Sequence, residues 1–435
     1  MPVALVGTFT TAVTVAGAVM WLGLDLLHVH GIRHKQQISS KVLFDLVKLS
    51  FAVVAGLGGL VALVVAYRKQ RTEENSALRE NTKLHSDRFT AAVAQLGNTS
   101  PAVQLGGVHA LAGLADDAPT SHLRQTCIDV LCAYLRLPSD PYPGDAPEHA
   151  EALKAFRAIR EVRHTILRLI GSHLRDGSVV SWQGHDFDFT DVVFDYGDFG
   201  HARFIGGTVS FNNARFEGGT VDFQGAHFEG GIVTFGGARF VNGAVRFGAA
   251  EFKGGRVIFG DAQFEGGTVA FRGAHFGDGI VAFDGARFGG GMVDFRYIWF
   301  ERGAISLAGA RIEGGIVDLH GARLKKGWVD LTGARVEGGT VSFEDALLGD
   351  GIVSFDDAQL KSGTLSFQGA QLKGGTLSFQ GAQLEGGTLS FDRVSFEGCV
   401  VGFPDTQFDG SEVSFSNATG KRPSDLPDGL ALHLS

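Results

Sequence analysis

The sequence predicts a β-solenoid, a stack of short coils around one continuous core, preceded by a helical N-terminal part that enters a membrane. Three observations carry this reading. Phe or Leu stands at 211, 223, 235, 247 and every twelfth residue up to 415, eighteen positions without a break. Glycine supplies 63 of the 435 residues and phenylalanine 35, against five Tyr and four Trp, so most rings are expected where a hydroxyl or indole N–H would find no partner. Finally, Val3 to Leu24 has no ionisable side chain and at about 1.5 Å per residue reaches across a hydrocarbon core of about 30 Å.

The uncharged run 3–24 reads as a first transmembrane helix, because no Lys or Arg precedes Arg33 and a signal peptide would carry a basic start. A second run, Leu49 to Ala66, is flanked by Lys48 and by Tyr67, Arg68, Lys69 and Arg71, side chains suited to a membrane boundary. The expectation is a two-span hairpin over 1–72, in contact with the lipid bilayer; two buried helices of a soluble protein are the alternative. Arg33, Lys35, Lys41 and Lys48 lie between the spans, and Arg68, Lys69, Arg71, Arg79, Lys83 and Arg88 follow them. That bias places the C-terminal body in the cytoplasm. His28, His30 and His34 share no helical face and read as interfacial residues, not metal ligands.

Residues 73–185 have a helical apolar period and are expected to form a small adaptor domain. Ser100-Pro101 offers an N-cap and a first-turn proline, followed by Leu105, Val108, Leu111 and Leu114. A second helix starts near Ser121 and stops at Pro138, and a longer one runs from about Glu148 with Phe156, Ile159, Val162, Ile166 and Leu169 on one side. The first two are compatible with a HEAT-type pair or with an ordinary small helical domain. Cys127, Cys132 and Cys399 are the only cysteines; they exclude a disulfide scaffold, and the first two read as core packing.

From 186 to 420 two apolar tracks run in steps of twelve. The first is Phe211, Phe223, Phe235, Phe247, Phe259, Phe271, Phe283, Phe295 and onward; the second starts Phe204, Phe216, Phe228, with Ile, Leu or Val in place of Phe between 312 and 384. Two residues before each first-track ring stands Val, Leu or Ile, and two before the second mostly Ala. Spacing by two puts both side chains on one face of an extended segment, and Gly pairs supply the bends. So regular a period marks a solenoid. Twenty-four residues per coil is favoured over twelve, because the residues before the second-track ring repeat best at that step: Arg215, Arg239, Gln263, Arg287, Arg311, Arg335. About nine coils at roughly 4.8 Å each give a rod about 43 Å long. Residues 421–435 would be a tail or cap.

In FDFTDVVFDYGDFGHARF, residues 187–204, Phe189, Phe194, Phe199 and Phe204 recur every five residues, with Asp188 and Asp198 before a ring and Ala202 two before. This resembles the pentapeptide-repeat family. The resemblance implies a right-handed quadrilateral β-helix over about 187–415, although beyond 204 alternate units have seven residues. Some members of that family resemble B-DNA and inhibit DNA gyrase, so a DNA-mimicking effector of gyrase or topoisomerase is the alternative to a scaffold.

Residues 186–420 carry 18 Lys and Arg against 30 Asp and Glu, a balance of −12 within a chain total of −9. That argues against nucleic acid as a partner. No catalytic arrangement, phosphate loop or metal-ligand spacing stands out, so neither an enzyme nor a cofactor is expected. The candidate partner-binding face is the ladder Arg215, Arg239, Arg287, Arg311 and Arg335, whose guanidinium groups suit carboxylates or phosphates; the plainer reading is a solvated face with Asp and Glu nearby. His227, His275 and His320 are expected outward. Thr364/Ser366, Thr376/Ser378 and Thr388/Ser390 are also expected outward, in an array similar to an ice-binding face. The expected function is a membrane-anchored scaffold with an unidentified protein partner and a possible homodimer through a solenoid end.

Overall fold

The computed structural model describes residues 10–25 except 12, 16, 19, 23 and 24, then 40–138, 140–421 and 423–424. The chain divides into two units, Met1–Ser86 and Asp87–Ser435. In the first, helix α1 (Ser40–Leu96) begins. Among the described residues it is the one helix long and apolar enough to cross a membrane, and its large apolar side chains are exposed, Leu63 and Phe51 at 71% each. The expected second span, Leu49 to Ala66, lies within it. It does not end near residue 72, because no Gly or Pro breaks the polar run that follows. A shorter apolar helix, Val13–Leu22, falls inside the expected first span. Residues 3–9, 12, 16, 19, 23 and 24 of that span, and the connection with His28, His30, Arg33, His34 and Lys35, lie outside the described residues.

In the second unit, α2 (Pro101–Asp116), α3 (Ser121–Arg136) and α4 (Ala150–Leu174) form a small helical layer. Each buries one apolar stripe: Val108, Leu111 and Leu114 on α2, Cys127, Leu131 and Leu135 on α3, and Val162, Ile166, Ile170 and Leu174 on α4. Ser100 does stand at the N-cap of α2, but its side chain makes no cap bond; instead Asn98 Oδ1 accepts from the Ser100 backbone N–H at 2.9 Å. The α3 cap is Thr120, whose hydroxyl accepts from the Leu123 N–H at 3.2 Å.

A β-solenoid of about ten turns follows, and every strand pairing within it is parallel. Each turn contributes to four ladders. The first ladder contains Thr208–Ser210 and Ile232–Thr234, the second Arg239–Phe240 and Gln263–Phe264, the third Ala244–Arg246 and Thr268–Ala270, and the fourth His227–Phe228 and Glu251–Phe252. Residues pair with those twenty-four further on, as Val257 with Val281 and Phe264 with Phe288. The turn at the start is shorter. Phe194 pairs with Phe216, whereas Tyr196 pairs with Thr220, and a bulge between them absorbs the two residues by which a seven-residue unit exceeds a five-residue one.

The core shows why twenty-four fits and twelve does not. Phe211, Phe223, Phe235, Phe247, Phe259, Phe271, Phe283 and Phe295 are all fully buried. Rings twenty-four apart lie flat on one another, Phe235 on Phe259 at 4.6 Å and 6°. Rings twelve apart meet edge to face, Phe235 and Phe247 at 6.2 Å and 85°. Both geometries suit the ring quadrupole, and together they pack one continuous column that also contains the helical core.

Candidate interaction surfaces

The helical layer closes the N-terminal end of the rod. Asp188, Asp195 and Asp198 project from its earliest strands and are taken up by bases on the helices: Arg136 binds Asp188, Arg160 binds Asp195, His164 meets Asp195 at 2.8 Å and Arg175 meets Asp198 at 2.6 Å. Burial opposes ionisation of Asp195, but hydrogen bonds from His164 and Arg160 outweigh it and hold its carboxyl at about 2. Gly171 on α4 permits the closest approach, since a Cβ there would sit 2.0 Å from the Asp198 carbonyl oxygen. This end is therefore occupied by the protein itself. At the other end Ser424 bridges to Gly402, and Pro423 is buried.

The arginine ladder is continuous in register: Arg215, Arg239, Gln263, Arg287, Arg311 and Arg335 are successive partners on the second ladder. All are exposed except half-buried Arg239. Three are engaged by acids. Arg239 binds Glu265 at 2.7 Å and Arg287 binds Glu313 at 3.4 Å, in each case a Glu one turn plus two residues away, while Arg215 binds Glu217 at 2.5 Å. Pairs this exposed contribute little to stability, but they occupy the guanidinium groups. Arg311 and Arg335 have no ion pair among the described residues, because Glu337 is taken by Lys361 at 3.2 Å.

Other outward positions differ from expectation. His227, His275 and His320 are only partly exposed. His227 lies 3.2 Å from Glu251, His275 3.8 Å from Glu301 and His320 4.0 Å from Asp345, since side chains one turn apart on a parallel ladder crowd each other. Ser366 is buried and donates to Glu344 at 3.0 Å, and Ser378 bonds Asp356. The Thr/Ser array is thus not a uniformly exposed face: two of its three serines, Ser366 and Ser378, are held by acids twenty-two residues earlier.

The inward residues of the early turns are also the ones that a family model matches. Phe189, Phe194, Phe199 and Phe204 fill one layer at intervals of five, and residues 189–239 match a family model described as pentapeptide repeats, in nine copies. The chain carries pentapeptide repeats. No curated protein and no solved structure matches it. A pentapeptide-repeat solenoid suggests a protein-interaction or scaffold module, and its surface has one feature that the period of twelve hides. The leading residues of the strands on the first ladder form an outward column, Thr208, Ile232, Arg256, Ile280, Ala304, Trp328, Ile352, Thr376 and Val400, and Ile232, Ile280, Trp328, Ile352 and Val400 are exposed. The signal was present at a step of twenty-four, one residue before the buried Val, Ile or Leu that precedes every second first-track position. Thiols are kept out of reach in both the helical layer and the rod: burial pushes Cys127 on α3 and Cys399 in the rod up to about 11 and raises Cys132 on α3 as well.

Proposed function

We propose that this protein is a membrane-anchored scaffold. In this reading, 1–72 is a two-span hairpin in the lipid bilayer, 73–185 a helical adaptor, 186–420 a right-handed quadrilateral β-helix that presents a rigid cytoplasmic surface to a protein partner, and 421–435 a tail or cap. The observation that carries it is the bare apolar face of α1, where Phe51, Leu60, Leu63 and Val65 are each at least 60% exposed. Side chains of that size left uncovered call for lipid or a partner. Because helices cover the N-terminal end of the rod, a homodimer through a solenoid end would use the C-terminal one.

Carbonate extraction of membranes and protease protection test this. The chain should stay in the pellet, and protease should digest the rod only from the cytoplasmic side; release into the supernatant would overturn the anchoring. The DNA-mimic reading draws on the distal rod, where 337–420 holds 12 Asp and Glu against three Lys and Arg. Recovery of DNA gyrase on the detergent-solubilised protein, lost on neutralising that segment, would favour it instead.

A further inference from the structure

Beyond its shorter first turn the rod repeats itself closely, and one stretch, 297–328, holds every Trp and Tyr after Tyr196. Tyr297, Trp299 and Trp328 are exposed at 52%, 50% and 48%. In a molecule that buries its rings as filler, three large rings turned outward on two successive turns need a reason. Trp299 is the register partner of Arg323 on the fourth ladder, and Trp328 follows Arg323 by five residues, past the bend that carries Lys325 and Lys326.

The backbone is adapted to hold Tyr297 in place. Tyr297 occupies a bend position where Gly recurs in neighbouring turns, with φ +59°, a conformation unfavourable for a bulky side chain. Gly321, one turn on, makes room for the ring: a Cβ there would lie 2.7 Å from it. The Arg272 guanidinium lies 5.5 Å from the ring centroid, within reach of a cation–π interaction, and His320 meets the ring edge-on at 5.5 Å. Beside the ring opens a groove of about 400 Å³ lined by Tyr297, His320, Arg323, Asp345, Leu347 and Gln371.

Charge identifies the occupant. Arg272, Arg323, Lys325 and Lys326 are exposed, and none has an ion pair among the described residues. Lys325-Lys326 is the only adjacent basic pair between 186 and 420. On a rod that is acidic as a whole, unpaired cations have collected beside the exposed rings. Trp, Tyr and Arg together are the residues that dominate protein interfaces, and the free cations supply complementarity to carboxylates.

We propose that this surface binds an acidic linear segment of a partner protein, with carboxylates on Arg323, Lys325 and Lys326 and an aromatic or aliphatic side chain against Trp299 and the groove. This rests on the scaffold reading only in taking the rod as the protein-binding part. A nucleic acid strand is disfavoured, since its charge would extend past the patch onto acidic turns.

Full-length protein in detergent is titrated with a labelled twelve-residue peptide of Glu, Asp and Gly containing two Phe, with the same peptide bearing Lys for its acids, and with a twelve-nucleotide oligothymidylate. The acidic peptide should bind saturably and quench tryptophan fluorescence. Its Kd should rise about tenfold or more in Trp299→Ala and in the Lys325→Glu/Lys326→Glu pair, and stay unchanged in Arg246→Glu, exposed on the third ladder. Amide exchange checks that each variant is folded. Absence of binding, equal binding by folded Trp299→Ala, or tighter binding of the lysine peptide or of oligothymidylate would overturn the proposal. Release from membranes in carbonate would sink the anchoring and leave this binding intact.

Discussion

The turns up to Phe300 and the turns from Ile305 to Val336 share a backbone and differ in what fills it. In the former, Phe rings stack turn upon turn, Phe247 on Phe271 at 4.7 Å and Phe264 on Phe288 at 4.7 Å. In the latter, Leu307, Ile312, Leu319, Leu324, Leu331 and Val336 take the equivalent places and are equally buried. The change begins at Ile298, which is buried where Ala286 and Ala310 stand one unit away. Ile adds bulk at a narrow position, and the loss of rings from Leu307 onward returns space. The two regions teach that the solenoid conserves the volume of a layer, not the residue that supplies it. The exchange of filler inside also coincides with the exposed rings outside, Tyr297, Trp299 and Trp328.

The comparison breaks most sharply on removal of a ring. Phe259 is stacked on both sides, on Phe235 and Phe283 at 4.6 Å each, so Phe259→Ala should cost about 3–5 kcal/mol, against about 2–3 kcal/mol for Leu319→Ala. Amide exchange of the surrounding turns reads both, and equal losses would mean that stacking adds nothing specific. Next, Ala274→Ile places the Ile298 solution among Phe turns without the compensating loss of rings. It should destabilise by about 1–3 kcal/mol, and adding Phe283→Leu should restore part of that. Gly321→Ala forces a Cβ onto the Tyr297 ring at a backbone φ of +64°, for about 1–2 kcal/mol; combined with Tyr297→Gly the cost should shrink to the backbone part, which a double-mutant cycle separates.

The smallest effect is expected at the capped end. The Asp195 carboxyl is lowered from 3.8 to about 2, so its contribution is fully present above about pH 4 and is lost as pH falls through 2. Protection of α4 amides should fade over that window in the wild type and change less in Asp195→Asn. A fade of equal size in both would assign it to other carboxylates.

The buried half of this molecule was legible because burial repeats: Val, Phe and Ala positions are fixed by a layer that must be refilled every turn, so the period, the four inward residues and the identity of the filler follow from one line of sequence. Surface relations were hidden. The pairing of Arg239 with Glu265, or Arg287 with Glu313, joins residues twenty-six apart and has no meaning until the length of a turn is known. Tyr297 and Trp299 escaped notice for the opposite reason, since a search for repetition treats a break as noise. The helical stripes of α2 to α4 were readable from their apolar spacing, but the bases that fasten them to Asp188, Asp195 and Asp198 carry no local pattern.

The fastening of the earliest turn to the helices has a consequence for biosynthesis. A parallel ladder needs a template, and the chain leaves the ribosome with α2 to α4 ahead of the first strand. That strand and the next can dock on a finished surface through Asp188, Asp195 and Asp198, and each later turn finds its predecessor already in place. Growth of the rod then runs in one direction, at the pace of translation, with a single unsatisfied edge exposed at any moment.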